Sequence, residues 1–156
     1  MSKPLSTSSS PAAFGFRGSG PAQSSVSRWT VRVPAWAGAV LLVVSSVIHL
    51  HLWLSGYRHI PTIGPLFLAQ VVAGIALSAV VALKRSPVFL AGGAVFATGT
   101  VVALLVSVNF GLFGFRDSLD APYAKSSLVV ECAAAVLLAV AATVAATTGE
   151  PVRSSR

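Results

Sequence analysis

Apolar and polar positions in this chain are sorted into blocks. Four runs, 33–54, 63–83, 88–113 and 127–148, are almost wholly apolar, and every charged residue except Glu131 lies outside them. Each run approaches or exceeds the ~20 residues a helix needs to cross a ~30 Å hydrocarbon core. In lipid only helices and closed barrels satisfy their own backbone, and unbroken apolar runs are not the alternating pattern of a barrel strand. The pattern therefore predicts an all-α polytopic membrane protein, a four-transmembrane-helix bundle. Its breaks have physical causes: "SGYRHIP" at 55–61, "KRSP" at 84–87 and "GFRDSLDAPYAKSS" at 114–127 supply proline, glycine and charge. Asp120 and Pro122 can cap a fourth helix that starts before 127.

The flanks differ from the runs. Residues 1–32 are rich in Ser, Pro, Gly and Ala without apolar periodicity, and are expected to form a disordered cytoplasmic tail, with 149–156 a second short one. The first apolar run starts too deep, and is too long, for a secretory signal. No solenoid or inverted repeat is visible.

Composition sharpens this picture. Only 10% of residues are charged, against about 25% in soluble domains, and mean hydropathy is +0.81. The net charge of +7 could suit nucleic acid, but its placement points to lipid. Eight basic residues (Lys3, Arg17, Arg28, Arg32, Lys84, Arg85, Arg153, Arg156) fall on one side of the predicted membrane and three (Arg58, Arg116, Lys125) on the other. That bias predicts both termini in the cytoplasm of a multi-pass inner (cytoplasmic) membrane protein. It also predicts contact with anionic headgroups on the cytoplasmic side and no nucleic-acid partner. Trp29, Trp36, Trp53, Tyr57 and Tyr123 lie near the predicted boundaries, as interfacial aromatics do. The single cysteine, Cys132, excludes an internal disulfide and reads as a packing residue.

Small residues mark the faces that should pack together. These are Gly38, Ser45, His49 and Trp53 in the first run, and Gln70, Gly74 and Ser78 in the second. The third has Gly92, Gly99 and Ala103, with Gly93, Thr100 and Ser107 beside them; the fourth has Glu131, Ala135, Ala139, Ala142 and Ala146. The polar members His49, Gln70, Asn109 and Glu131 all lie within one to two turns of the outer face, so they are expected to form a polar layer or ligand site. His51 is about 200° round the helix from His49 and should meet headgroups or a loop.

Glu131 carries the most information, because an acid inside a membrane helix is costly and needs a partner. His49, Arg58 and Arg116 are the candidates. Its role reads either as a proton- or ligand-handling carboxylate or as a structural tie between helices. His49, His51 and His59 are weak metal candidates, since His-x-His on a helix is poor ligand spacing and no further cluster supports it. Two axial haem ligands cannot come from facing helices, because the last three runs hold no His or Met. A quinone headgroup could use His49 with Gln70 and Asn109. The expectation for cofactors is none. In the outer loops, Tyr57, Arg58, His59, Arg116 and Asp117 are candidate contacts for a lid or a docking surface, with Arg116 and Asp117 expected to stay wet. Nucleotide-binding and hydrolase motifs are absent.

The stretches "HLHLW", "YRHIPTIGPLFLAQ" and "GLFGFRDSLDAPYAKSSLVVE" resemble a group of small four-helix integral membrane proteins from high-GC bacteria. The resemblance covers about residues 45–135 and implies that the outer motifs belong together. It implies no activity, so no catalytic residue is carried over. The architecture also resembles DoxX-type membrane proteins at the level of fold analogy. The expected role is a non-catalytic accessory or scaffold protein, with a membrane-protein partner or as a homo-oligomer. The alternatives are a redox-linked binder of quinone, metal or haem using His49 and Glu131, and an oligomeric proton-coupled transporter.

Overall fold

The structure is a computed structural model that describes residues 21–148, with side chains from Trp29 onward. Four helices follow one another: α1 (Pro21–Leu54), α2 (Ile63–Lys84), α3 (Pro87–Asn109) and α4 (Ala124–Thr147). A single 3-10 turn, Tyr57–His59, joins α1 to α2. All four helices are long and apolar enough to cross a membrane. Each packs beside the next, α4 closes back on α1, and α1 and α3 hardly meet, so the helices form a ring of four. The α2–α3 connection is short, and the 55–62 and 110–123 loops meet around one cavity at the other end, so successive helices run antiparallel.

The helix limits differ from the sequence pattern at three places. The first helix runs back to Pro21, so residues 21–32, expected to be part of a tail, are helical. Proline is favoured in a helix's first turn, and no glycine or second proline interrupts the chain until Pro34, which lies inside α1 without ending it. The two segments expected to be disordered otherwise fall, as 1–20 and 149–156, outside the described residues. The third helix stops at Asn109, four residues early. Gly111 takes a positive φ of 82° and its N–H turns back on the Ser107 carbonyl at 3.1 Å, which is how a glycine ends a helix. Residues 112–115 then double back, with Gly114 at φ 79° and paired bonds between Leu112 and Phe115. The fourth helix begins at Ala124, just after Pro122, in line with the earlier start allowed above.

Side chains are sorted between a closely packed centre and an apolar exterior. Leu42, Val81, Leu90, Ala134, Leu138 and Ala141 fill the centre. Large apolar side chains such as Val40, Val72, Val95, Val129 and Val136 cover the outside, a surface far more apolar than a soluble monomer tolerates. The small-residue faces hold for α1 and α2. Gly38 lies against Leu138, and Gly74 lies against Ser46 and the Leu42 carbonyl. In α3 the inward face is that of Gly93, Thr100 and Ser107; Gly92, Gly99 and Ala103 are exposed, the last two along the groove between α2 and α3. In α4 the buried line is Glu131, Ala134, Leu138, Ala141 and Ala145, while Ala139 and Ala146 are exposed. Steps of four residues advance 400°, so a strict i+4 series drifts 40° per step, and only alternating three- and four-residue steps stay on one face.

Candidate functional site

Three helices bring a polar cluster together in the half of the bundle nearest the 55–62 and 110–123 loops. Ser45 and His49 lie one turn apart on the buried face of α1, and Ser127 and Glu131 have the same spacing on α4. Gln70 comes from α2. Glu131, only 2% exposed, is the centre. Its Oε1 accepts from Ser45 Oγ at 2.9 Å, Gln70 Nε2 at 3.1 Å and Ser127 Oγ at 3.2 Å. The Nε2 atom of His49 stands 3.8 Å from the same oxygen. These contacts tie α4 to both α1 and α2, and all of them fall on one of the two carboxyl oxygens.

The proton arrangement follows from the acceptors. His49 Nδ1 lies 2.9 Å from the Ser45 carbonyl oxygen, which can only accept, so Nδ1 carries hydrogen and donates to it. Gln70 Nε2 is 3.3 Å from that same Nδ1, and with both atoms bearing hydrogen this is a van der Waals approach. A neutral His49 then turns a bare Nε2 toward a carboxylate, two acceptors face to face. One proton held by the pair, or a donor lodged between them, resolves the conflict.

Around this cluster lies a cavity of about 80 Å³, lined also by Tyr57, Phe67, Ser107, Phe115 and Asp117. One water needs roughly 10–15 Å³ of such volume, so the space suits several waters or one ring-sized headgroup. Aromatic rings wall it. Phe67 sits edge-on to His49 at 5.1 Å, Tyr57 stacks on Phe67 at 4.9 Å, and Phe115 meets Tyr57 edge-on at 5.8 Å. On one side the cavity shares Phe67, Gln70, Thr100 and Leu112 with an apolar groove of about 430 Å³ between α2 and α3. Those two helices touch least of any neighbouring pair, and beside Gly99 there is open space.

Of the expected polar layer, His49, Gln70 and Glu131 meet. Asn109 does not: its side chain is exposed and donates to the Leu105 carbonyl at 2.7 Å, because α3 ends there and presents the residue to the loop side. Neither arginine reaches Glu131. Arg58 donates through Nε to His59 Nε2 at 3.2 Å, and Arg116 donates to the Asn109 carbonyl, pinning its loop to the end of α3. Asp117, expected to stay wet, is half-buried and lines the cavity, its N–H donating to Ser107 Oγ at 3.3 Å. His51 meets Tyr123 of the neighbouring loop at 5.2 Å. The three histidines thus sit in separate surroundings, and among the described residues no group of three or more His, Cys, Asp or Glu is placed to hold a metal.

In the sequence Ser45 marks only a packing face, and Ser127 and Phe67 carry by themselves no evident signal of a site. The shared i, i+4 spacing of Ser45 with His49 and of Ser127 with Glu131 was the available signal. Nothing local marks Phe67 or Phe115 as cavity walls.

Burial, and then the Asp117 carboxylate, pushes the Tyr57 phenol above its usual value of 10.0. The folded state holds that proton more tightly than the unfolded chain does. Its stabilising effect is therefore complete below pH about 10 and is lost as pH rises beyond it. Asp117→Asn is expected to make Tyr57 ionise at lower pH, though still above the ordinary value because burial is the larger cause. Phenolate absorbance in a Tyr123→Phe background reads this directly, and an unchanged titration would remove Asp117 from the surroundings of the phenol.

Fold and cavity together define a four-helix bundle with membrane-length helices and a polar chamber near one end. No protein-family model, curated protein or solved structure matches the chain.

Proposed function

We propose that this is a multi-pass inner-membrane protein, both termini cytoplasmic, whose outer chamber binds the polar headgroup of a membrane-soluble molecule of quinone type. The lipid-facing apolar surface and the eight-to-three bias of basic residues support the insertion and its direction. The observation that carries the ligand class is the junction between chamber and groove. A buried carboxyl and imidazole and the half-buried Gln70 amide line a chamber that shares Phe67, Gln70, Thr100 and Leu112 with an apolar groove between α2 and α3. A ring with carbonyl or hydroxyl groups can pair with Gln70, His49 and the second oxygen of Glu131, while an isoprenoid-like tail lies in the groove. A ligand hydroxyl beside His49 Nε2 also supplies the donor that this imidazole nitrogen lacks, since Glu131 Oε1 already accepts from three groups.

The test is retention of decylubiquinone by the purified protein in lipid nanodiscs. Near-stoichiometric retention, weakened about tenfold or more in His49→Ala, is the expected result; a tenfold loss corresponds to about 1.4 kcal/mol, within the range of one ordinary hydrogen bond. Equal retention by wild type and variant, or none by either, overturns the reading. The accessory or scaffold reading would then take its place. It rests on Phe110 and Phe113, which the outer loop holds 84% and 66% exposed, the latter at a positive φ of 52°. Such a fixed apolar tip suits a partner within the membrane or a second copy of the chain.

A further inference from the structure

The opposite end of the bundle carries a second set of unused polar groups. The α2–α3 connection is only two residues long, and Arg85 takes it in the left-handed conformation, φ 45°, with its N–H on the Val81 carbonyl at 3.2 Å. This geometry turns the side chain back over α1, where the guanidinium lies 5.4 Å from the Trp36 ring. Its Nε is buried and, among the described residues, has no hydrogen-bond partner. A cavity of about 420 Å³ opens beside it, lined by Trp29, Arg32, Val33, Trp36 and Arg85. Two guanidinium groups therefore border one space. The described acids, Asp117, Asp120 and Glu131, all belong to the other half of the bundle; the fourth acid of the chain, Glu150, lies outside the described residues.

We propose that Arg32 and Arg85 form a phosphate-binding site for the headgroup of an anionic phospholipid in the cytoplasmic leaflet. A buried guanidinium nitrogen without an acceptor is costly, and phosphate oxygens match the planar fork of arginine donors better than any neutral acceptor does. Trp29 and Trp36 are exposed beside the pair, as tryptophans at a headgroup boundary are. The Trp36 ring lies beneath the Arg85 guanidinium carbon, and both residues line the space. The proposal rests on membrane insertion and not on the outer chamber, so quinone retention and phosphate binding can fail separately.

The full chain with Trp53→Phe keeps two tryptophan reporters, both at this site. In nanodiscs, brominated phosphatidylglycerol is expected to quench their fluorescence more strongly than brominated phosphatidylcholine. The double variant Arg32→Gln, Arg85→Gln is expected to abolish that preference while circular dichroism shows unchanged helix content. Inorganic phosphate added to lipid-free protein in detergent separates the two sources of the same chemistry. If phosphate shifts the tryptophan emission in an arginine-dependent way and the lipids quench equally, the site takes free phosphate and the lipid assignment is overturned. Equal quenching by both lipids with no response to phosphate overturns the site altogether, as does a phosphatidylglycerol preference that survives the double variant. Should the double variant lose helix content, Arg32→Lys and Arg85→Lys, which keep charge and lose the fork, are expected to show a reduced preference in a folded bundle.

Discussion

Alanine at position 131 is expected to destabilise the bundle by roughly 2 kcal/mol, because three donors on α1, α2 and α4 lose their common acceptor at once. Hydrogen bonds between membrane helices average about 0.6 kcal/mol, and a buried donor left without a partner adds to that figure. The loss is limited by Ser45 and Ser127, which can turn back to the carbonyls one turn earlier, as Ser46 does to Leu42 at 2.8 Å. The long amide of Gln70 has no such retreat. Glu131→Gln keeps an acceptor oxygen of the same reach and should cost much less. Thermal unfolding of both variants in one detergent distinguishes the causes. A large gap between them assigns the effect to the shared acceptor; equal losses would assign it to the charge; and a wild-type midpoint for the alanine variant would mean the cluster does not hold the helices together. Because the same carboxyl faces the chamber, Glu131→Gln is also expected to retain less decylubiquinone while remaining folded.

The second large effect is expected from one added methyl group at Gly64, in the first turn of α2. A Cβ there would lie 2.7 Å from the Arg58 carbonyl oxygen and 3.0 Å from both the Arg58 carbonyl carbon and Cα. All three are backbone atoms, so no rotamer change relieves the contact and the Tyr57–His59 turn must move. That turn carries Tyr57, whose stack on Phe67 forms part of the chamber wall. Gly64→Ala is therefore expected to cost about 1–3 kcal/mol, as overpacking does, and to weaken quinone retention together with stability. Gly92→Ala is the control: its Cβ meets nothing within 4 Å, and alanine is the better helix former, so neither stability nor retention should fall. If Gly64→Ala unfolds at the wild-type midpoint and retains the probe equally, the 3-10 turn is not a rigid wall of the chamber.

How much was legible in the sequence differs from residue to residue. His49, Gln70 and Glu131 announce themselves because polar groups are rare in an apolar run and each sits on a face of small residues; those two local facts suffice to bring them inward. Asn109 shows the same composition and the same apparent depth, yet it sits outside the cluster. What separates it is the stop of α3 at Gly111, and a helix end shifted by four residues alters both the depth and the direction of every residue near it. Asp117 is the converse. Its loop reads as a wet connector, but the Arg116 contact to Asn109 and the doubled-back 112–115 segment fold it over the bundle.

By itself, then, the amino-acid sequence determined the class of the fold, the number of membrane-length helices and the core of the polar cluster. Each depends on hydrophobicity and helical period, which are properties of neighbouring residues. Only the tertiary structure decided which of two adjacent faces on α3 turns inward, which loop residues cover the chamber, and that Arg85 lies over Trp36. Those outcomes depend on how far two helices approach and on the backbone angles of single loop residues. A residue's contacts across the bundle are set by partners 20 to 90 positions away, and no local pattern encodes that distance.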